Sequence, residues 1–342
     1  VENHSPATLI FSGQARILTP GRPFRYFIIA TFLTSATLTF ASQPAHEVSA
    51  GIILYNQLKL DAAFPVLEKE AQAGNVESQY YLGEALRKRN RYMTPEAQHW
   101  YETAAMNGSI YAMIQLGRKN SDLCKIMDNC PASSKSPAQW FAYAKELALA
   151  KANSGDAESL FLMYEITLND EWLEKSANAG YPLAQYWMAV SERQGKGFFF
   201  IPGKRDESVR NWLRLSSEGG YPKAMNNYLE ILYRDGDMQA VHHWLKIAAE
   251  TGEQDAMSNY GAYISHTPDK IGYPLNLVEG YAMFYLMKDL NDAGGIQDYV
   301  DRKIEKIAEK MTPEQIEQSK VFAKQWKDTH PPLSFFPDKL GD

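Results

Sequence analysis

The sequence predicts an all-α protein: a right-handed α-solenoid of stacked helix-turn-helix repeats, finished by capping helices. Three observations predict it. Six glycines (Gly74, Gly108, Gly155, Gly180, Gly220 and Gly252) anchor a recurring pattern. Four residues after each stands a small side chain (Ser78, Ala112, Ser159, Ala184, Ala224, Ala256), and eight after it a large apolar one (Leu82, Leu116, Met163, Met188, Tyr228, Tyr260). Three before each glycine the residue is small again (Ala71, Ala105, Ala152, Ala177, Ser217, Ala249). Eight before it stands Trp100, Trp172, Trp212 or Trp244, with Val66 and Leu147 in the remaining copies.

Those offsets have a physical reading. Positions +4 and +8 lie one turn apart on one helical face, and −8 and −3 are expected to play the same part on the preceding helix. Tryptophan is expected to supply bulk there, and alanine to let the helices approach. Each glycine reads as a helix C-cap, free to take a positive φ and stop the chain. Gly219, outside the aligned set, is expected to tolerate a side chain better than Gly108 or Gly252. A single helix pair cannot bury both faces, so the pairs must stack.

Spacings between the glycines are 34, 47, 25, 40 and 32 residues, with the irregularity between 119 and 180. The segments 71–83, 97–117 and 237–261 follow A-x-x-W-(Y/F/L)-x-x-A-A-x-x-G-x-x-x-A-x-x-x-L-G most closely around Gly108 and Gly252. On these residues the chain resembles the Sel1-like repeat family, a tetratricopeptide-like group, over roughly residues 60–290. The resemblance implies stacked helix pairs that act as adaptors or assembly factors, and it names no partner.

The flanks are divided as follows. Arg22 and Arg25 precede the uncharged stretch from Tyr26 to Phe40, which exits through Ala41-Ser42-Gln43. This order reads as a signal peptide over residues 1–41. The stretch is shorter than the ~20 apolar residues of a membrane span and holds four threonines and a serine. Residues 42–52 read as a linker, 53–295 as the solenoid, 296–329 as C-terminal capping helices and 330–342 as a Pro-rich tail. Within the last two, Thr312-Pro313 reads as a helix start, and the tail as loose or extended, with Phe335 and Phe336 able to dock back.

Three inserts break the period. Asn120–Ser136 carries Cys124 and Cys130, candidates for a disulfide in an oxidising compartment, with two buried thiols as the alternative. Gln194–Arg205 carries Phe198, Phe199 and Phe200 among Lys196, Lys204 and Arg205. These rings either fold over the solenoid or form an exposed contact patch for a partner. His266–Leu275, with two prolines, reads as a structured loop.

Chemistry is harder to find. Lys and Arg number 35 against 41 Asp and Glu, a net charge of −6, which lacks the footprint of a nucleic-acid binder. Two cysteines exclude a four-thiolate metal site, and the seven histidines show no ligand spacing. His242 and His243 are adjacent and diverge on a helix. No phosphate loop, H-E-x-x-H or G-x-S-x-G occurs, so no enzyme, metal or cofactor is expected.

The expected function is a non-enzymatic protein-binding scaffold, exported to a bacterial periplasm. Without residues 1–41 the chain loses three Arg and one Glu and carries −8, which suits a basic partner surface. By family resemblance the specific expectation is immunity to a type VI secretion effector such as a phospholipase toxin. The alternative is an envelope or polysaccharide-export adaptor. A β-lactam-binding enzyme of the cysteine-rich Sel1 type fits less well, since such chains carry a cysteine pair in each repeat. The only membrane contact foreseen is through an uncleaved signal segment. Core positions leave the inserts and the first helix of each pair for recognition.

Overall fold

The computed structural model describes residues 49–267, 271–290 and 295–341. The signal-peptide expectation over 1–41 lies outside them. The described chain is helical almost throughout, and among the described residues β-structure is limited to one bridge between Glu253 and Ser334. The helices are α1 (Ala50–Asn56), α2 (Leu60–Gln72), α3 (Val76–Asn90), α4 (Pro95–Met106), α5 (Ile110–Gly117), α6 (Leu123–Ile126), α7 (Pro137–Ala152), α8 (Ala157–Thr167) and α9 (Asp170–Asn178). They continue as α10 (Pro182–Arg193), α11 (Lys204–Glu218), α12 (Pro222–Arg234), α13 (Met238–Glu250), α14 (Gln254–Ile264), α15 (Leu277–Met287), α16 (Gln297–Ala308) and α17 (Pro313–Thr329). Apart from α17, which packs on α15, the longer helices pack chiefly on their neighbours in sequence, which is the arrangement of a solenoid.

The glycine turns set this arrangement. All six anchor glycines have φ between +78° and +93°, a region that costs other residues steric strain. At five of them the chain closes with a pair of backbone bonds. After α4, for example, Gly108 N–H donates to Ala105 O at 3.0 Å and Ser109 N–H to Ala104 O at 2.9 Å. These satisfy the last carbonyls of the helix. The residue after each glycine then caps the next helix. Asn75, Ser109, Asp156 and Glu253 do so by accepting a backbone N–H three residues on. Tyr181 and Tyr221 have no such side-chain bond and are followed by Pro182 and Pro222, which need no N–H partner. The direction change is therefore complete within three or four residues.

The packing corrects the expected role of tryptophan. Positions −3 and +4 are buried in all six copies. At −8, however, Trp100, Trp172, Trp212 and Trp244 are only half-buried. The buried residue is one later, at −7: Leu67, Tyr101, Ala148, Leu173, Leu213 and Leu245. A step of one residue rotates a helical side chain by about 100°. It places the tryptophans at the rims between helices, where Trp172 lies under Lys175 and Trp244 meets Tyr228 edge-on. The fully buried tryptophan is Trp140, in α7.

The irregular spacings have local causes. The 47-residue interval contains the short helix α6 and the loop to Ser136. The 25-residue interval arises because α9 has nine residues and follows α8 after only Leu168 and Asn169. The linker drawn to residue 52 is also corrected. Ser49 accepts from Ile52 N–H and starts α1 at Ala50. At the other end α17 begins at a capping box of Thr312 and Gln315 with Pro313 at its first position. Gly219 departs from expectation as well: its φ is an ordinary −76°, yet an added Cβ would stand 2.6 Å from Pro182 Cγ.

Candidate functional site

The helices that follow the glycines turn one face towards a common groove, and the tail from Leu333 to Gly341 lies along it. This overturns the expectation of a loose tail. At α14, Ser334 N–H donates to Gly252 O at 2.9 Å and Gln254 N–H to Ser334 O at 3.2 Å. Phe335 N–H then reaches Asn56 O of α1 at 2.9 Å. Asp338 is held by Lys223 at 2.8 Å and by the Tyr221 hydroxyl at 3.2 Å. Lys339 pairs with Glu77 at 3.2 Å and sits 4.9 Å over the Tyr111 ring. The carbonyls of Lys339, Leu340 and Gly341 accept in turn from Tyr80, Arg118 and Arg87.

Below this run is a buried carboxylate. Glu84 is 2% exposed and accepts from the Tyr101 hydroxyl at 2.8 Å and Gln115 Nε2 at 2.7 Å, with Arg87 3.6 Å away. A carboxylate in that position needs such partners, because burial without them is costly. Burial, with Glu84 beside them, holds the Tyr80 and Tyr101 phenols well above their ordinary pKa, so both remain hydrogen-bond donors. Next to the run is a cavity of about 810 Å³, whose walls include Phe161, Tyr164, Tyr181, Leu183 and Trp187. Burial and the neighbouring carboxylates Glu158 and Asp338 likewise push Tyr181 and Tyr221 up, respectively.

The Gln194–Arg205 insert stands elsewhere on the surface. Phe198 and Phe200 are each 92% exposed and stack on one another at 6.4 Å, with Ile201 beside them also exposed. They cap no groove. Phe199 alone folds back, 4.7 Å from the Arg205 guanidinium. The expected rim of cations is already engaged, by the loop itself and by the helices beside it. Arg205 donates to the carbonyls of Glu192, Lys196 and Gly197, while Lys204 pairs with Glu207 and Lys196 with Asp170. In the first insert Cys124 and Cys130 are joined as a disulfide, with their Cα atoms 4.7 Å apart. Lys119, buried nearby, donates to Gln98 at 2.6 Å and to the Pro131 carbonyl, and burial lowers its pKa. His242 stacks on Tyr273 at 4.1 Å, and His243 is exposed. Among the described residues no group of three or more His, Cys, Asp or Glu could hold a metal ion, and no helix is long and apolar enough to cross a membrane.

No protein-family model matches the chain, and no curated protein matches it. Among solved structures it is similar to c5321, a protective antigen present in uropathogenic Escherichia coli strains and displaying an SLR fold. The identity is 19% and the TM-score 0.44, over 79% of this chain and 57% of that one. It is also similar to a Sel1 repeat protein from Oxalobacter formigenes, at 20% identity and a TM-score of 0.39, over 80% of this chain and 81% of that one. The chain therefore spans little more than half the length of the first. What decides the description is this chain's own geometry: successive helix pairs, each reversed at a glycine with positive φ. The fold is an α-solenoid of helix pairs turned at glycines.

Sequence reasoning missed the residues that grip the tail. In this solenoid Glu77, Tyr111 and Lys223 all occupy position +3 after their glycines. That position carries no shared chemistry, so no pattern marked it. The dipeptides Gly-Asn, Gly-Ser, Gly-Asp and Gly-Glu, and the tripeptide Gly-Tyr-Pro, were a readable signal for the turns themselves.

Proposed function

We propose that the protein is a non-enzymatic protein-binding scaffold of the bacterial periplasm, and that it neutralises a toxin delivered by type VI secretion, such as a phospholipase effector. The observation that carries the scaffold reading is the groove, which already holds a run of polypeptide by its backbone carbonyls and by paired charges. Backbone recognition supplies affinity, and side-chain sites beside it supply selectivity. Phe198 and Phe200 offer a second contact surface, since exposed paired aromatics are the usual anchors of interfaces. The Cys124–Cys130 bridge supports export, because structural disulfides persist in oxidising compartments.

The test mixes the purified protein with purified phospholipase effectors of type VI secretion. The expected result is an equimolar complex on size exclusion with the toxin's activity abolished. No complex, or a complex that leaves the toxin active, overturns the immunity role. Specific binding to a neighbouring synthase component instead would make the protein an envelope or polysaccharide-export adaptor.

A further inference from the structure

The tail has two parts that differ in how they are held. Leu333 and Ser334 are buried, and Ser334 makes paired backbone bonds with the Gly252 turn. Residues 335–341 are half-buried or exposed. They follow a kink at Phe336, whose φ of +44° is a strained value for a side chain of that size. Beyond the kink the contacts are ion pairs with both partners partly open to water, hydrogen bonds to main-chain carbonyls, Lys339 over the Tyr111 ring and a single half-buried aliphatic side chain, Leu340, against the core. Ion pairs of that kind contribute little to stability, and a segment with few buried apolar contacts opens locally. None of the carbonyl contacts depends on which residue supplies the carbonyl.

The groove, by contrast, is built to persist. Tyr80 and Arg87 are fixed from beneath by Glu84, and Arg118 by Glu165 at 2.6 Å. Arg87 Nε is buried with no hydrogen-bond partner, so this guanidinium retains a donor that the tail leaves unused. The cavity of about 810 Å³ beside the run has an aromatic and aliphatic part, with Phe161, Leu183 and Trp187, and a charged part, with Arg118 and Glu165, and the run itself forms one of its walls. The firm receptor, the weakly held occupant and the space beside it are features of a binding site with a replaceable ligand.

We propose that residues 335–341 are an internal ligand, displaced when the groove takes an extended segment of a partner protein. That segment carries an acidic residue followed directly by a basic one, matching Lys223 with Tyr221 and Glu77 with Tyr111, together with a bulky apolar side chain for the cavity. The inference rests on the scaffold reading and names the kind of segment such a scaffold holds. Contact through the main chain fixes the direction and depth of the segment; the acidic–basic order selects it. Leu333 and Ser334 remain anchored, so the displaced run stays tethered and returns when the partner leaves.

The test uses the full chain and a fluorescent peptide with the sequence of residues 335–341. Exchanging the tail charges (Asp338→Lys with Lys339→Asp) loosens the run from its own groove. The peptide is expected to bind this variant at least 10-fold more tightly than the unaltered protein, and Lys223→Glu added to the variant is expected to abolish that binding. Equal binding to both proteins, or no binding to either, overturns the proposal. Hydrogen exchange on the unaltered protein is an independent measurement that needs no variant to fold. The amides of Phe335 and Gly341 should exchange at least 100-fold faster than those in the middle of α3. Exchange as slow as that of α3 would make the run a fixed strap and also overturn the proposal. If the peptide fails while the toxin complex forms through another surface, this inference falls and the scaffold reading stands.

Discussion

The turns at Gly108 and Gly252 have the same sequence signature and the same left-handed glycine, with φ of +93° and +78°. Their surroundings differ. A Cβ added at Gly108 would meet nothing within 4 Å, whereas one at Gly252 would stand 2.7 Å from the Pro332 carbonyl and 3.0 Å from that of Pro331. The bonding differs too. At Gly108 the following N–H returns to the helix. At Gly252 it goes to the Thr251 hydroxyl at 3.3 Å, and the Gly252 carbonyl accepts from Ser334. One glycine therefore serves the backbone conformation alone, and the other also gives a second length of chain a place to dock.

The largest effect should follow from breaking that second role. Gly252→Val is expected to cost about 3–4 kcal/mol, combining left-handed strain with loss of the two backbone bonds to Ser334. Gly108→Val should cost about 1–2 kcal/mol from strain alone. Denaturant melts give the two values, and limited proteolysis after Trp326 should separate them further, with only the Gly252 variant releasing the tail. Equal losses would contradict the comparison. Gly219→Val tests the same point from another side, at about 1–3 kcal/mol through overpacking against Pro182.

A smaller, pH-dependent effect is expected at the neighbouring cap. Burial raises the pKa of Glu253, which nonetheless accepts from Ala256 N–H at 2.7 Å. A raised folded-state pKa means stability that is fully present below the unfolded value of 4.5 and lost as pH rises through the folded value. Glu253→Gln should therefore gain stability relative to the unaltered protein as pH is raised from 4 to 7. Thermal melts across that range read the difference, and a gain that shrinks with pH would refute it. The smallest effect belongs where neither turn nor tail is touched. Phe198→Ser with Phe200→Ser should change stability by less than ~0.5 kcal/mol, while weakening capture of the proposed protein partner by about 2 kcal/mol or more, on the order of hot-spot values.

The positions of the turns were legible because each demands one conformation that one residue type supplies, and six glycines at matched offsets reveal it. The depth of the tryptophans was not. Their size suggested burial at −8, but the core position at −7 is filled by Leu, Tyr or Ala and so shows no fixed letter. The inserts could be located as breaks in the period, yet whether Phe198 faced in or out depended on Arg205 folding onto the loop's own carbonyls. The tail was the least visible feature. Tyr80 and Lys339 are 259 residues apart, and contacts made through carbonyls and half-exposed charges impose no hydrophobic period on the sequence.

A repeat array ordinarily melts from its ends, because a terminal unit has a neighbour on one side only. Here the segment at 333–341 bonds to Asn56 in α1, to Tyr80 in α3, to Lys223 in α12 and to the Gly252 turn. Fraying at the N-terminal end must therefore release a clasp that is also fastened to the far end of the array. While the clasp is seated the two ends are tied to each other; once it opens, each end is left to fray with a neighbour on one side only. It also means that whatever lifts the clasp loosens both ends at once.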